Sequence, residues 1–198
     1  MFTLISFFTQ EWKYIQYGLE LIQSCKALKV PYNIIELPST GSYLGNTRLK
    51  PFFIKECLEA FKSPVAWIDC DSVLTKYPSS FESIPDDAVM AAKKNTSKKL
   101  LNWYAGILWF RYCPESIQFI NEWIRQLDCK SGGDHTAMER ALKAYPIKVH
   151  ELPKDYGVML KRNEEPTATI SFRISDWPQR NQEMKKAEMA AKRRLNAN

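Results

Sequence analysis

The first 68 residues alternate between short apolar runs and longer stretches with helical spacing, and this alternation restricts the chain to few architectures. The run "FTLISFF", beginning at Phe2, is rich in β-formers and predicts a buried strand. In "EWKYIQYGLELIQSCKAL", Ile15, Leu19, Ile22 and Cys25 recur every three or four residues, so a helix follows. "YNIIEL" after Pro31 predicts a second strand, and the Ser-Thr-Gly-Ser stretch from Ser39 to Gly45-Asn46 predicts a surface loop. "RLKPFFIKECLEAFK" places Ile54, Leu58 and Phe61 on one helical face, with Pro51 tolerated near the start. "VAWI" is the third strand and runs directly into Asp69. Strand, helix, strand, helix, strand predicts an α/β fold with a mixed, largely parallel central sheet flanked by helices. In such folds ligands sit outside the carboxyl ends of the strands.

Beyond residue 80 the pattern is less regular. "DDAVMAA" and "YAGILWFRY" predict strands, and "PESIQFINEWIRQL" predicts a helix with Ile117, Ile120 and Ile124 along one side. A second helix, "DHTAMERALKAY", starts after Gly132-Gly133, and short strands follow at "IKVHEL" and "ATISF". With 198 residues, 45% hydrophobic and 25% charged, the chain suits one domain over residues 1–178, followed by a basic tail or helix over 179–198. It has no apolar run long enough to cross a bilayer and no signal-peptide pattern at "MFTLISFFTQEW". Five cysteines without CxxC spacing give neither a disulfide framework nor a zinc site, and a reducing cytoplasm is the expected compartment.

The chemistry concentrates at Asp69-Cys70-Asp71. Two carboxylates at a strand end suit a hard divalent cation such as Mg²⁺ or Mn²⁺, which takes oxygen ligands and leaves positions for substrate phosphates. The bland reading is a pair of solvated loop acids, one capping a turn. "IDCDSVL" resembles the haloacid-dehalogenase phosphatase signature, which would make Asp69 a phosphorylated nucleophile and Asp71 a general acid/base. In that family the first aspartate normally follows the first strand, whereas here two strand-helix units precede it.

A wider resemblance covers roughly residues 1–175. The order "FFTQEWKY", "RLKPFFIKECLEAF", "VAWIDCDSVL", "NWYAGILWF", "GGDHTAMERAL" and "LPKDYG" resembles GT-A-type glycosyltransferases, the nucleotide-diphospho-sugar transferases. That resemblance implies a single GT-A-like, Rossmann-related domain that binds a nucleotide-sugar donor, with UDP as the carrier on family habit. It implies that Thr9, Tyr14 and Cys70 face the nucleotide, that Arg48, Lys50 and Arg173 approach the diphosphate, that Asp69 lies near the ribose or the metal, and that Asp71 ligates that metal, Mn²⁺ or Mg²⁺. Asn102, Gly106 and His135 would border the donor sugar or acceptor, and Asp134 would face the same groups, as a general base or as a sugar ligand. Read as bare residues, Thr9 and Tyr14 pack or cap, Lys50 is a solvated charge, and Gly106 permits close backbone packing. Many relatives add a histidine metal ligand near the carboxyl end; here that region offers Ser171 and Arg173.

The tail holds six of the 28 Lys/Arg but only two of the 22 Asp/Glu, so the net charge of +6 informs mainly about residues 179–198. Met184, Ala187, Ala191 and Leu195 form a weak apolar stripe within it. A helix packed on the domain, a peripheral contact with anionic lipid, and nucleic-acid binding together with "KKNTSKK" (93–99), flanked by Trp103 and Tyr104, are the three readings. The resemblance leaves polysaccharide, lipid-linked glycan and hydroxymethylated DNA base open as acceptors. A domain that binds nucleotide or nucleic acid without catalysis is the non-enzyme alternative.

Overall fold

A computed structural model describes residues 1–95, 102–129, 132–160 and 164–173. Strand β1 (Thr3–Thr9) leads through α1 (Trp12–Ala27) to β2 (Tyr32–Leu37), and a short α2 (Tyr43–Arg48) and α3 (Lys50–Phe61) lead to β3 (Val65–Ile68). Next come β4 (Ser72–Leu74), a 3-10 turn at Ser79–Glu82, β5 (Met90–Lys94), β6 (Trp103–Phe110), α4 (Pro114–Cys129) and α5 (Asp134–Ala144). Three short strands, β7 (Val149–Glu151), β8 (Tyr156–Met159) and β9 (Ile170–Phe172), complete the described chain.

Six strands form the central sheet in the order β2-β1-β3-β6-β5-β7. Pairings β2–β1, β1–β3 and β5–β7 are parallel, while β6 runs antiparallel to both its neighbours. The period-2 alternation of the strands decides which side chain faces which layer. Leu4 and Phe8 of β1, Ala66 and Ile68 of β3, and Ile107 and Trp109 of β6 face one core with α1 residues Leu21 and Cys25. Ile5 and Phe7, Val65 and Trp67, and Leu108 and Phe110 face the other, against Ile54 and Leu58 of α3, Phe119 and Trp123 of α4, and Met138 of α5. Both faces of the sheet are therefore covered, as its near-continuous apolar strands require.

Several expectations are adjusted by packing. Leu19 and Phe61, placed by periodicity on core faces, are exposed, whereas Leu21 and Ile54 are fully buried. Gly18 is what lets α1 lie on β1, since a Cβ there would fall 2.1 Å from Phe8 Cδ1. The expected loop before Arg48 contains a helical turn, because the Ser42 hydroxyl accepts the Gly45 N–H at 3.0 Å and caps it. Strands β4 and β8 carry no signal of their own. They form a small second sheet, β4-β9-β8, by pairing with β9.

Candidate active-site cleft

Parallel pairing of β1 and β3 puts Thr9 and Asp69 at the same edge of the sheet. Because β6 enters from that edge in the opposite direction, Trp103 to Gly106 arrive there too, with Ile107 registered against Ile68. The heads of α3 and α5 bring Lys50 and Asp134. The result is an open cleft at the carboxyl ends of β1 and β3, lined by side chains of β1, β3, β6, α2, α3 and α5.

Lys50 organises its floor. Far from being a solvated charge, it is 4% exposed, and its ammonium lies 2.9 Å from Asp69 Oδ1, 2.5 Å from Asp134 Oδ2 and 3.0 Å from the Ala105 carbonyl oxygen. Three protons meet three acceptors. Burial alone would lower the Lys50 pKa, but the Asp134 and then the Asp69 charge raise it above the ordinary lysine value. Asp134, 7% exposed, shows the complementary balance: burial opposes its ionisation, and the Lys50 charge outweighs that and holds the carboxyl below its usual range. Trp67, wedged against Phe7 at 5.3 Å, donates its indole N–H to Asp69 Oδ1 at 2.9 Å. Asp69 is thus held on both sides.

Gly106 lies over this carboxylate. Its carbonyl accepts the Asp69 N–H at 2.9 Å, and a Cβ at Gly106 would come within 2.9 Å of Asp69 Oδ2 and 2.4 Å of Tyr104 Cε1. His135, next to Asp134, accepts the Ala105 N–H on Nε2 at 2.6 Å, with its ring 5.0 Å from that of Tyr104.

Of the residues singled out from sequence, Thr9, Tyr14, Lys50, Asp69, Cys70, Asp71, Asp134 and His135 line the cleft. Arg48, Asn102, Gly106 and Arg173 do not line it, Gly106 lying behind Tyr104. Arg48 donates to the Gly132 carbonyl oxygen at 3.3 Å, Asn102 is exposed, and Arg173 turns to α1, where it pairs with Glu20 at 2.9 Å. The Arg173 backbone stays close, its N–H donating to the Asp71 carbonyl at 2.8 Å. Positions 96–99 of the first basic segment and all of 179–198 lie outside the described residues.

No protein-family model matches this chain, and no curated protein matches it by sequence. Solved structures do. A glycosyltransferase involved in glycosylation of the major capsid of PBCV-1 superposes with a TM-score of 0.70 at 14% identity, over 95% of this chain and 98% of that one. The galactosyltransferase LgtC, solved with donor and acceptor sugar analogues, gives 0.56 at 10% identity over 96% and 95%. The chain has the GT-A fold of glycosyltransferases. Glycosyltransferase GlyE of Streptococcus pneumoniae TIGR4 shares this fold with a TM-score of 0.60 at 13% identity, and this chain spans 57% of it.

Several residues that line the cleft of this GT-A fold belong to no motif of the sequence. Tyr43, Asn46 and Thr47 come from α2 and Trp67 from β3, while Tyr104 of β6, expected only as a stacking partner for nucleic acid, lines the cleft as well. Asn46 ties the loops together: its amide oxygen accepts from the Thr40 N–H at 2.8 Å, and its amide nitrogen donates to Thr9 Oγ1 at 3.4 Å. Glu11 joins this network, taking the Ser39 hydroxyl at 2.8 Å and the Thr9 hydroxyl. A helix-capping Ser42 three residues before Gly45 was the one signal that α2 exists.

Asp69 Oδ2 and Asp71, which is 6% exposed and lines the cleft, offer hard oxygen donors. Among the described residues no cluster of three or more His, Cys, Asp or Glu is present. Two carboxylates suffice for an ion of the Mg²⁺ or Mn²⁺ kind when phosphate oxygens complete its shell, so the donor set fits such an ion.

Proposed function

We propose that this protein is a glycosyltransferase that moves a sugar from a nucleotide-diphospho-sugar, with UDP as carrier, to an acceptor hydroxyl. The observation that carries the reading is the Lys50 bridge: one buried ammonium joins the acid after β3 to the acid heading α5, on the floor of a cleft at the strand carboxyl ends. Thr9 and Tyr14 line this cleft and would meet the nucleotide, and Asp69 and Asp71 would hold Mn²⁺ or Mg²⁺, which when bound supplies positive charge to the leaving diphosphate.

Asp134 takes the role of a sugar-hydroxyl acceptor. A general base works best with a pKa near the working pH. Ion pairing with Lys50 moves Asp134 the other way, which makes it a poor proton acceptor and a firm hydrogen-bond acceptor. The phosphatase alternative needs its nucleophilic aspartate after the first strand of the domain, whereas Asp69 follows β3 in a GT-A fold.

The acceptor is a hydroxyl on a glycan; the acceptor sugar analogue in the LgtC neighbour supports this choice over a DNA base. Calorimetry with UDP, UDP-sugars and GDP-sugars, with and without Mn²⁺, tests the donor side. The expected result is UDP binding that Mn²⁺ strengthens. Absence of any nucleoside diphosphate binding, with turnover of a phosphatase substrate, would refute the reading, and UDP binding without transfer to any hydroxyl would favour the non-catalytic alternative.

A further inference from the structure

Strand β3 ends at Ile68, opposite Ile107, so the first residues of β6 have no strand on that side. Their backbone groups would otherwise be orphaned. Side chains of two helices take the place of the missing strand. His135 Nε2 accepts the Ala105 N–H at 2.6 Å, Glu139 Oε1 accepts the Trp103 N–H at 2.7 Å, and Lys50 Nζ donates to the Ala105 carbonyl at 3.0 Å. His135 and Glu139 are four apart and hence on one face of α5, matching the two-residue repeat of N–H groups on one strand edge.

We propose that His135 is a positioning residue for sugar transfer that works only as the neutral Nδ1–H tautomer, holding the entry of β6, and with it Tyr104 and Gly106, against the head of α5. The proposal rests on the glycosyltransferase reading. A ring nitrogen that accepts a hydrogen bond carries no proton, so this bond defines the tautomer. Protonation would set two N–H groups against each other across a 2.6 Å contact, and the ring would have to leave the Ala105 N–H and the Tyr104 face. Tyr104 lies over Gly106, and Gly106 lies over Asp69, so the displacement reaches the cleft floor.

The charged and titratable groups around the ring are Asp134 and Glu139 on α5, Lys50 at the head of α3, Asp69 after β3, and Tyr104 on β6. Asp71, Tyr14 and Tyr43 line the same cleft. Asp134 is the neighbouring anion in sequence; it shares the single Lys50 charge with Asp69 and also interacts electrostatically with His135, so it favours the charged ring and opposes the neutral one that the Ala105 N–H bond requires.

The test combines spectroscopy with two variants of the full chain. Only two histidines occur, His135 and His150, so ¹⁵N-histidine NMR resolves each ring. At pH 8 His135 is expected as Nδ1–H; an Nε2–H ring overturns the proposal whether or not the enzyme is active. His135→Phe keeps a ring beside Tyr104 and removes the acceptor, and should lower kcat on the order of tenfold to a hundredfold, as for misplaced reacting groups, with UDP affinity little changed. His135→Gln restores an acceptor that does not titrate. It should recover much of that loss and remove the acid limb of the kcat profile between about pH 5 and 8, where imidazole changes charge. An unaltered acid limb in His135→Gln, or wild-type kcat in His135→Phe, overturns the proposal. If the tautomer is Nδ1–H but the wild-type chain transfers no sugar, the glycosyltransferase reading fails instead, and the role in transfer fails with it.

Discussion

At the residue scale Lys50 is the decisive side chain, because its removal would leave two carboxylates facing each other in a buried site. Lys50→Met is expected to cost about 3–5 kcal/mol, the usual penalty for breaking a buried ion pair from one side, measured by urea unfolding. A loss under about 1 kcal/mol would mean that solvent already screens the cluster. Asp71→Asn and Asp134→Asn should fail differently. The first should abolish Mn²⁺-dependent UDP binding in calorimetry, and the second should lower turnover while UDP affinity persists. Equal loss of UDP binding in both would defeat that division of roles. Gly106→Ala forces a Cβ to 2.4 Å from Tyr104 Cε1, so overpacking of about 1–3 kcal/mol is expected in urea unfolding, together with a lower kcat as the Tyr104 ring moves.

At the element scale the entry of β6 is the least conventional part of the fold, since helix side chains complete a strand edge there. Glu139, though acidic, is buried because it serves the Trp103 N–H. Glu139→Leu leaves that donor unsatisfied and should cost about 1–3 kcal/mol in chemical denaturation, whereas Glu139→Gln retains an acceptor and should cost clearly less. Equal losses would show that charge, and not the hydrogen bond, is what matters. Much of the element order was legible beforehand. The strands at "FTLISFF", "VAWI" and "YAGILWFRY" and the helices with Ile54, Ile120 and Met138 lie where periodicity puts them, because each buries a continuous apolar face. Strand β4 was not legible, since Ser72–Leu74 is a strand only by virtue of pairing with Ile170–Phe172, far along the chain.

For the whole molecule, the buried cluster sets how stability responds to pH. The folded-state pKa of Asp134 is lowered, so its contribution is present above the ordinary aspartate value of about 3.9 and lost as pH falls through the lower folded value. The folded-state pKa of Lys50 is raised, so its contribution is complete below the ordinary lysine value of about 10.4 and lost only as pH rises through the higher folded one. Thermal unfolding from pH 2 to 10 should therefore show this cluster failing on the acid side alone, and Asp134→Asn should flatten that limb; an unchanged limb would assign acid lability to other carboxylates. Deleting residues 179–198 should leave UDP binding intact. It should also flatten the salt dependence of any DNA affinity by about one counterion for each phosphate that a tail cation had neutralised, read by fluorescence anisotropy across a salt series. Loss of UDP binding would instead place that segment in the donor site. Periodicity and turn residues report how each element buries one face, so the α/β alternation and the strand-end position of Asp69-Cys70-Asp71 are readable along the chain. Long-range packing is what buries Lys50 between Asp69 and Asp134, inserts β6 antiparallel beside β3, and brings His135 and Glu139 to finish its edge. Those outcomes depend on partners distant in the chain, and a local pattern of hydrophobic and polar residues carries no record of which distant partner will satisfy a buried charge or an orphaned N–H.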